Sequence, residues 1–129
     1  MKNYVILLAT DDLAVEAVVR AMGTSADCKL HCVKTSREAV SMVMDGTGSQ
    51  DLAVVDLDLR VGGRALLKTA GGSLPVIAIT GKARPWLSSM LRHRRIGATL
   101  TKPVSSESLR DALQRVRILS SPEAPGGRY

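Results

Sequence analysis

Leu52-Ala53-Val54-Val55-Asp56-Leu57 is an aliphatic run interrupted once, by a carboxylate near its far end. It is too short for a buried helix, and its paired valines favour extended backbone. A strand this apolar has no face to offer water, so it belongs inside a sheet covered on both sides, the usual setting of parallel strands. The pattern recurs to either side. Upstream, Val5-Ile6-Leu7-Leu8-Ala9 runs into Thr10-Asp11-Asp12. Downstream, Leu74-Pro75-Val76-Ile77-Ala78-Ile79-Thr80 stops at Gly81, and a shorter stretch from Ala98 to Thr101 precedes Lys102-Pro103. Residues 29–33 add a short strand.

Between these runs the period becomes helical. Residues 13–22 place Val15, Val18, Val19 and Met22 on one face, with Gly23 as the expected C-terminal cap. Thr35 and Glu38 read as a capping box opening a helix with Ala39, Val40, Val43 and Met44 inward. Asp45-Gly46-Thr47-Gly48-Ser49 reads as a loop. Gly63 to Ala70 is a short helix stopped by Gly71-Gly72, and another falls within 85–95. The last opens near Ser105 or Ser106 and lines up Leu109, Ala112, Leu113, Val116 and Leu119. Strands alternating with helices predict an α/β fold, a parallel sheet with helices on both faces.

Composition agrees. The chain has 129 residues, the size of one domain, and 45% of them are apolar. Aromatics make up only 2%, with no Phe, so the core must be aliphatic. No apolar run reaches the roughly 18–20 residues that cross a bilayer, so membrane insertion is not expected. Met1-Lys2-Asn3-Tyr4 lacks the layout of a signal peptide. Cys28 and Cys32 flank His31 without a second ligand pair, so they read as thiols in a reducing cytoplasm rather than as a zinc site. The 18 Lys/Arg exceed the 12 Asp/Glu by a net charge of +6, which allows acidic partners. Ser120 to Tyr129, rich in Pro, Gly and Ser, reads as a flexible tail or linker.

The polar residues of the strands collect at one end. Asp11 and Asp12, Asp56, Thr80 and Lys102 each stand at or just past the carboxyl end of a strand. In an open parallel sheet those ends share one edge, where sites form. Carboxylates converging there repel unless a cation is shared, and Mg2+ suits an all-oxygen set. A hydroxyl and an ammonium beside them suit a tetrahedral oxyanion. The parts together describe phosphoryl transfer onto a carboxylate.

On these residues the chain resembles the receiver domain of two-component response regulators, in the manner of the small chemotaxis regulators. The resemblance rests on Asp11-Asp12, Asp56, Thr80-Gly81 and Lys102-Pro103 in that order, and runs from about Lys2 to Leu119. It implies a doubly wound, five-stranded parallel sheet in the order 2-1-3-4-5, with residues 1–119 as the receiver domain and 120–129 as the tail. It implies Asp56 as phosphoacceptor, Thr80 as the switch hydroxyl and Lys102 as the ammonium pairing with Asp56 and then with the phosphoryl group. Asp11, Asp12, Asp56 and Asp58 would form the Mg2+ site, with Asp12 the more direct of the acidic pair and Asp58 offering its backbone carbonyl. The Lys102–Pro103 bond is cis in such proteins. The implied partners are a histidine kinase or phosphotransfer protein, a downstream protein target and, as an assembly left open, a second copy of the chain. The implied function is that of a phosphoacceptor regulator and not an enzyme, since no separate acid or base for hydrolysing other substrates is evident.

Four features depart from the family. Leu59-Arg60-Val61-Gly62-Gly63 lacks the proline that often follows the acceptor, and the third helix ends about a turn early. Thr99 stands where the family usually has Tyr or Phe, so the coupling of Thr80 to an aromatic residue lacks its second arm. The acidic residues of the common regulator dimer are not evident. The Asp58 side chain either points to solvent or pairs with Lys82 across the opening, which would hinder water and slow self-dephosphorylation. Arg84, Arg92-His93-Arg94-Arg95, Arg110, Arg115 and Arg117 would make a basic output face on the fourth and fifth helices. With so few aromatics to stack on bases, direct nucleic-acid binding is not expected there. Trp86 is expected to pack at the start of the fourth helix. The competing reading is a phosphate-independent interaction module working through that basic face.

Overall fold

The structure is a computed structural model that describes residues 4–25, 28–45, 50–59, 62–72, 74–82, 84–93 and 96–120. Strands and helices alternate along the chain: β1 (Tyr4–Ala9), α1 (Leu13–Ser25), β2 (Cys28–Val33), α2 (Ser36–Asp45), β3 (Leu52–Asp56), α3 (Gly63–Gly71), β4 (Val76–Thr80), α4 (Pro85–His93), β5 (Ile96–Thr101) and α5 (Ser106–Ser120). The five strands are all parallel, in the order β2-β1-β3-β4-β5. The expected order is therefore the observed one.

The central strands are the aliphatic ones. Every residue of β3 and β4 is buried, as is all of β1 after Tyr4, whereas the edge strands β2 and β5 are mostly half-buried. Successive side chains of a strand point to opposite faces, so each strand feeds two cores. Leu7, Ala9, Ala53, Val55, Val76 and Ala78 pack with α2, α3 and α4 through Ala39, Leu66, Leu67, Leu87 and Met90. Ile6, Leu8, Leu52, Val54, Ile77 and Ile79 pack with α1 and α5 through Val15, Val19, Met22, Leu109, Leu113 and Val116. Burial of a Leu, Ile or Val side chain is worth about 1.5–3 kcal/mol, and nearly all of these residues are aliphatic.

Several local expectations shift. The α1 helix continues through buried Gly23 instead of ending there, because Met22 and Gly23 still lie against the sheet. Met44 is 73% exposed, and Met42 takes the inward position beside Val40 and Val43. Thr35 does cap α2: Glu38 N–H donates to Thr35 Oγ1 at 3.1 Å, and the hydroxyl donates to Glu38 Oε1 at 3.0 Å. At the opposite end of the sheet from the strand-end acids, Asp51 ties β3 to β1, since Val5 N–H donates to its Oδ2 at 2.9 Å and its own N–H donates to Val5 O at 2.8 Å. The loop residues 46–49, the tail residues 121–129 and the side chain of Leu119 lie outside the described residues.

Chain direction from β1 leads to β2 on one side, and from β3 to β4 on the other. The carboxyl ends of β1 and β3 therefore flank the point where the winding reverses, and a crevice opens there.

Candidate functional site

Asp56 is the last residue of β3 and is fully buried. A buried carboxylate needs hydrogen bonds or a counter-charge. It has both. Asp58 N–H donates to Asp56 Oδ1 at 2.9 Å. The hydroxyl of Thr10, also fully buried, donates to Oδ2 at 2.6 Å. Lys102 Nζ stands 3.1 Å from the same oxygen.

Lys102 reaches this point because its own N–H donates to Thr80 O at 2.9 Å, which carries the β4–β5 pairing one residue past β5. The following bond to Pro103 is cis, as expected. The ammonium is held by Asp12 Oδ2 at 3.0 Å and Asp58 Oδ2 at 3.3 Å as well as by Asp56. Burial by itself would lower the Lys102 pKa. Hydrogen bonds to Asp12 and Asp56 outweigh that and raise it above the ordinary lysine value, so the group is a fixed cation.

Asp12 opens α1. Its Oδ1 accepts the N–H of Ala14 at 2.9 Å and of Val15 at 3.4 Å, an N-cap, while Oδ2 faces Lys102. The Lys102 hydrogen bond is the main reason its pKa lies below the usual aspartate value. Asp11 is exposed and stands outside the set that touches Lys102.

Asp58 corrects two expectations. Its side chain does not point idly to solvent, and its cation is not Lys82. Arg84 Nη2 lies 2.7 Å from Asp58 Oδ1, and Gly81 N–H donates to Oδ2 at 2.8 Å. A Cβ on Gly81 would stand 2.8 Å from that oxygen, so any larger residue there would push the Asp58 carboxylate aside. Desolvation raises the Asp58 pKa, but Arg84, Gly81 N–H and Lys102 together bring it below its ordinary value. Arg84 also donates from Nε to Thr80 Oγ1 at 3.2 Å. It belongs to this site and not to an output face. Lys82 contributes its backbone: Thr80 Oγ1 donates to Lys82 O at 2.7 Å and accepts Lys82 N–H at 3.3 Å. The Thr80 hydroxyl is thus engaged by its own loop. Asp58, Gly81, Lys82 and Arg84 line a cleft of about 300 Å³ beside the cluster.

The structure brings Asp12, Asp56, Asp58 and Lys102 into direct contact, with Thr80 held next to them through Arg84. Two participants were missed from the sequence. Thr10 carried a signal, a hydroxyl ending a buried strand as Thr80 does. Arg84 carried none, because only the path of the loop decides where it reaches. Thr99 is exposed, and Trp86 is half-buried beneath Arg64, whose Cζ lies 5.0 Å from the ring centre. Of the basic cluster, Arg94 and Arg95 and the side chains of Arg92, His93 and Arg117 lie outside the described residues, while Arg110 and Arg115 are exposed on α5.

The donor set suits a small divalent cation by its chemistry. It is all oxygen, it converges on one point, and three carboxylates against Lys102 and Arg84 leave one net negative charge. In the geometry described, the positive charge at that point is Lys102. Among the described residues no group of three or more His, Cys, Asp or Glu is placed so that it could hold a metal ion as it stands.

No protein-family model matches the sequence, and no curated protein does. Solved structures do match over nearly the whole chain. The non-phosphorylated HemR receiver domain from Leptospira biflexa superposes with a TM-score of 0.78 at 23% identity, covering 94% of this chain and 99% of that one. A CheY-like response regulator receiver domain protein from Methanospirillum hungatei gives 0.75 at 21%, covering 88% and 92%. The receiver domain of a sensor histidine kinase from Pseudomonas aeruginosa, with magnesium coordinated in its active-site cleft, gives 0.71 at 21%, covering 90% and 99%. The fold of this chain is that of response regulator receiver domains. Among the described residues, no helix is long and apolar enough to cross a membrane.

Proposed function

We propose that the chain is a phosphorylation-dependent signalling switch whose acceptor is Asp56. The observation that carries this reading is the convergence of a fully buried strand-end carboxylate, a fixed ammonium and two further carboxylates at the winding reversal of a receiver fold. A buried carboxylate with two donors on one oxygen and one on the other is oriented and dry, the condition for nucleophilic use. The phosphoryl donor would be a phosphohistidine of a histidine kinase or phosphotransfer protein. An Asp56 oxygen forms the new O–P bond as the P–N bond breaks, and the electron pair leaves with the imidazole.

Lys102 starts on Asp56 and is close enough to follow the charge onto the phosphoryl oxygens. Thr80 must leave Lys82 O and Arg84 to reach that group, so its hydroxyl reports the state of the site. Asp12 and Asp56, with Asp11 beside them and Asp58 through its carbonyl, would hold Mg2+. When bound, the ion neutralises charge on the transferred group. Displacement of Thr80 and Lys102 would shift the population of the face made by α4, β5 and α5, where a protein target docks. The setting is cytoplasmic, and the chain's own turnover is limited to its phosphorylation and dephosphorylation.

The test is intact mass after incubation with Mg2+ and a small acyl-phosphate donor, beside Asp56→Asn. A Mg2+-dependent phosphoryl adduct absent from the variant supports the switch. One observation favours the other reading, a phosphate-independent interaction module: exposed Thr99 occupies the position of the usual aromatic partner of Thr80. No adduct on the wild-type chain makes that module the leading account.

A further inference from the structure

The acceptor is clamped by a hydroxyl outside the acid–threonine–lysine set. Thr10 is the residue after β1, and its side chain is fully buried where an aliphatic one would pack. Its hydroxyl has one proton, and that proton goes to Asp56 Oδ2 at 2.6 Å. The hydroxyl is held from the other side, because Thr10 Oγ1 itself accepts Asp12 N–H at 3.0 Å. The hydroxyl therefore cannot turn away without leaving a part-buried N–H unpartnered.

We infer that Thr10 sets a low phosphoryl occupancy on this chain, slowing phosphorylation of Asp56 and hastening its loss. The inference rests on the phosphoacceptor reading above. A hydrogen bond to a carboxylate is charge-assisted and about twice as strong as one to a neutral acyl oxygen. In the forward step Asp56 gives up negative charge: its lone pair forms the O–P bond while the bond from phosphorus to the donor breaks, and that electron pair leaves with the donor. The Thr10 hydrogen bond weakens along this path, so it favours the starting carboxylate. In hydrolysis a water oxygen bonds to phosphorus and the bond to Asp56 breaks. The electron pair returns to the carboxylate, and the water's proton departs with the phosphate product. Here the hydrogen bond strengthens as the leaving carboxylate gains charge, so it lowers the barrier. The sign is the same whichever Asp56 oxygen carries the phosphoryl group.

The experiment uses the full chain with Thr10→Val and Thr10→Ser. Adduct build-up from an acyl-phosphate donor with Mg2+ is followed by intact mass, and decay is followed after the donor is removed. Thr10→Val is expected to load faster and decay more slowly, each by about twofold to fivefold, the upper figure being the full gap between a charge-assisted and a neutral hydrogen bond. Thr10→Ser, which keeps the proton, is expected to stay within about twofold of wild type. A merely structural lesion would slow loading, so opposite movement of the two rates is the signature. If Thr10→Val does not fold, as judged by its thermal melt, Thr10→Ala makes the same comparison. Wild-type rates in the valine or alanine variant, with an adduct on the wild-type chain, overturn this inference alone. No adduct on the wild-type chain overturns the phosphoacceptor reading and this inference with it.

Discussion

Arg84 joins two groups that the fold brings to the same edge from different strands. Its guanidinium is 18% exposed and Asp58 26%, so the pair adds at most about 1 kcal/mol to stability. Its effect belongs to kinetics: it stands over the cleft beside Asp56 and engages the Thr80 hydroxyl. Arg84→Ala is expected to shorten the lifetime of a phosphoryl group on Asp56 by a few-fold, while Lys82→Ala leaves it within about twofold. Equal decay in both variants and the wild type would remove Arg84 from the site's chemistry. Residues of this kind are hard to read in a sequence. Asp56, Thr80 and Lys102 are legible because strand ends converge wherever a parallel sheet is certain. Which of Lys82 and Arg84 reaches Asp58 depends on the turn between β4 and α4, and no pattern of residue types encodes it. Cys32 poses a simpler question. Burial pushes its thiol pKa up, and the nearby Glu16 carboxylate adds to the shift. A raised pKa means less thiolate at neutral pH. In a Cys28→Ser chain, alkylation of Cys32 at pH 7.5 is expected to run several-fold slower than that of a free cysteine, by timed intact mass.

Among the elements, β5 shows how a glycine can determine packing. Val76 pairs with Ile96 and Ile77 with Ala98, so Gly97 is an extra residue, a bulge. It lies against α5: a Cβ there would stand 2.5 Å from Val116 Cγ2. Valine has no flexible end to move aside, and Val116 is nearly fully buried. Gly97→Ala is expected to destabilise the fold by about 1–3 kcal/mol, the range for overpacking. Val116→Ala makes room, so the double variant should lose less than the two single losses combined, a coupling of at least about 0.5 kcal/mol in denaturant melts. Strict additivity would show that the helix simply shifts. The identities of the five strands and five helices were legible from the switch between runs and helical spacing. Their ends were less so, because they are settled by tertiary contact. Gly23 reads as a stop by its own flexibility, yet α1 continues where packing on the sheet outweighs that preference. Ile96 joins β5 through its pairing with Val76, two residues ahead of the stretch that reads as a strand, because Gly97 between them has no strand signal of its own and is carried as the bulge.

For the whole molecule, the sheet covers its aliphatic strands with helices on both faces and leaves the carboxyl edge to hold charge. That edge is stable because Lys102 answers three carboxylates at once, one of them with no contact to water. Removing it should therefore unbalance the entire domain and not one pair. Lys102→Ala is expected to cost roughly 2–3 kcal/mol, less than a fully buried pair because Asp12 and Asp58 still reach solvent. For a domain of this size that is a fall of several degrees or more in Tm. The same variant tests the metal reading without any phosphoryl donor. With the ammonium gone, the three carboxylates it bridged keep, among the described residues, the cation Arg84 on Asp58 Oδ1, and 10 mM Mg2+ should restore much of the lost Tm by binding the folded state. The wild-type chain should gain less, since Lys102 already stands among those oxygens, and Asp12→Asn should blunt the Mg2+ response in either background. A Lys102→Ala chain that melts low and ignores Mg2+ would mean that these acids are matched to an ammonium and not to a divalent ion. The phosphoacceptor reading would then have to stand on Asp56 and Lys102 alone.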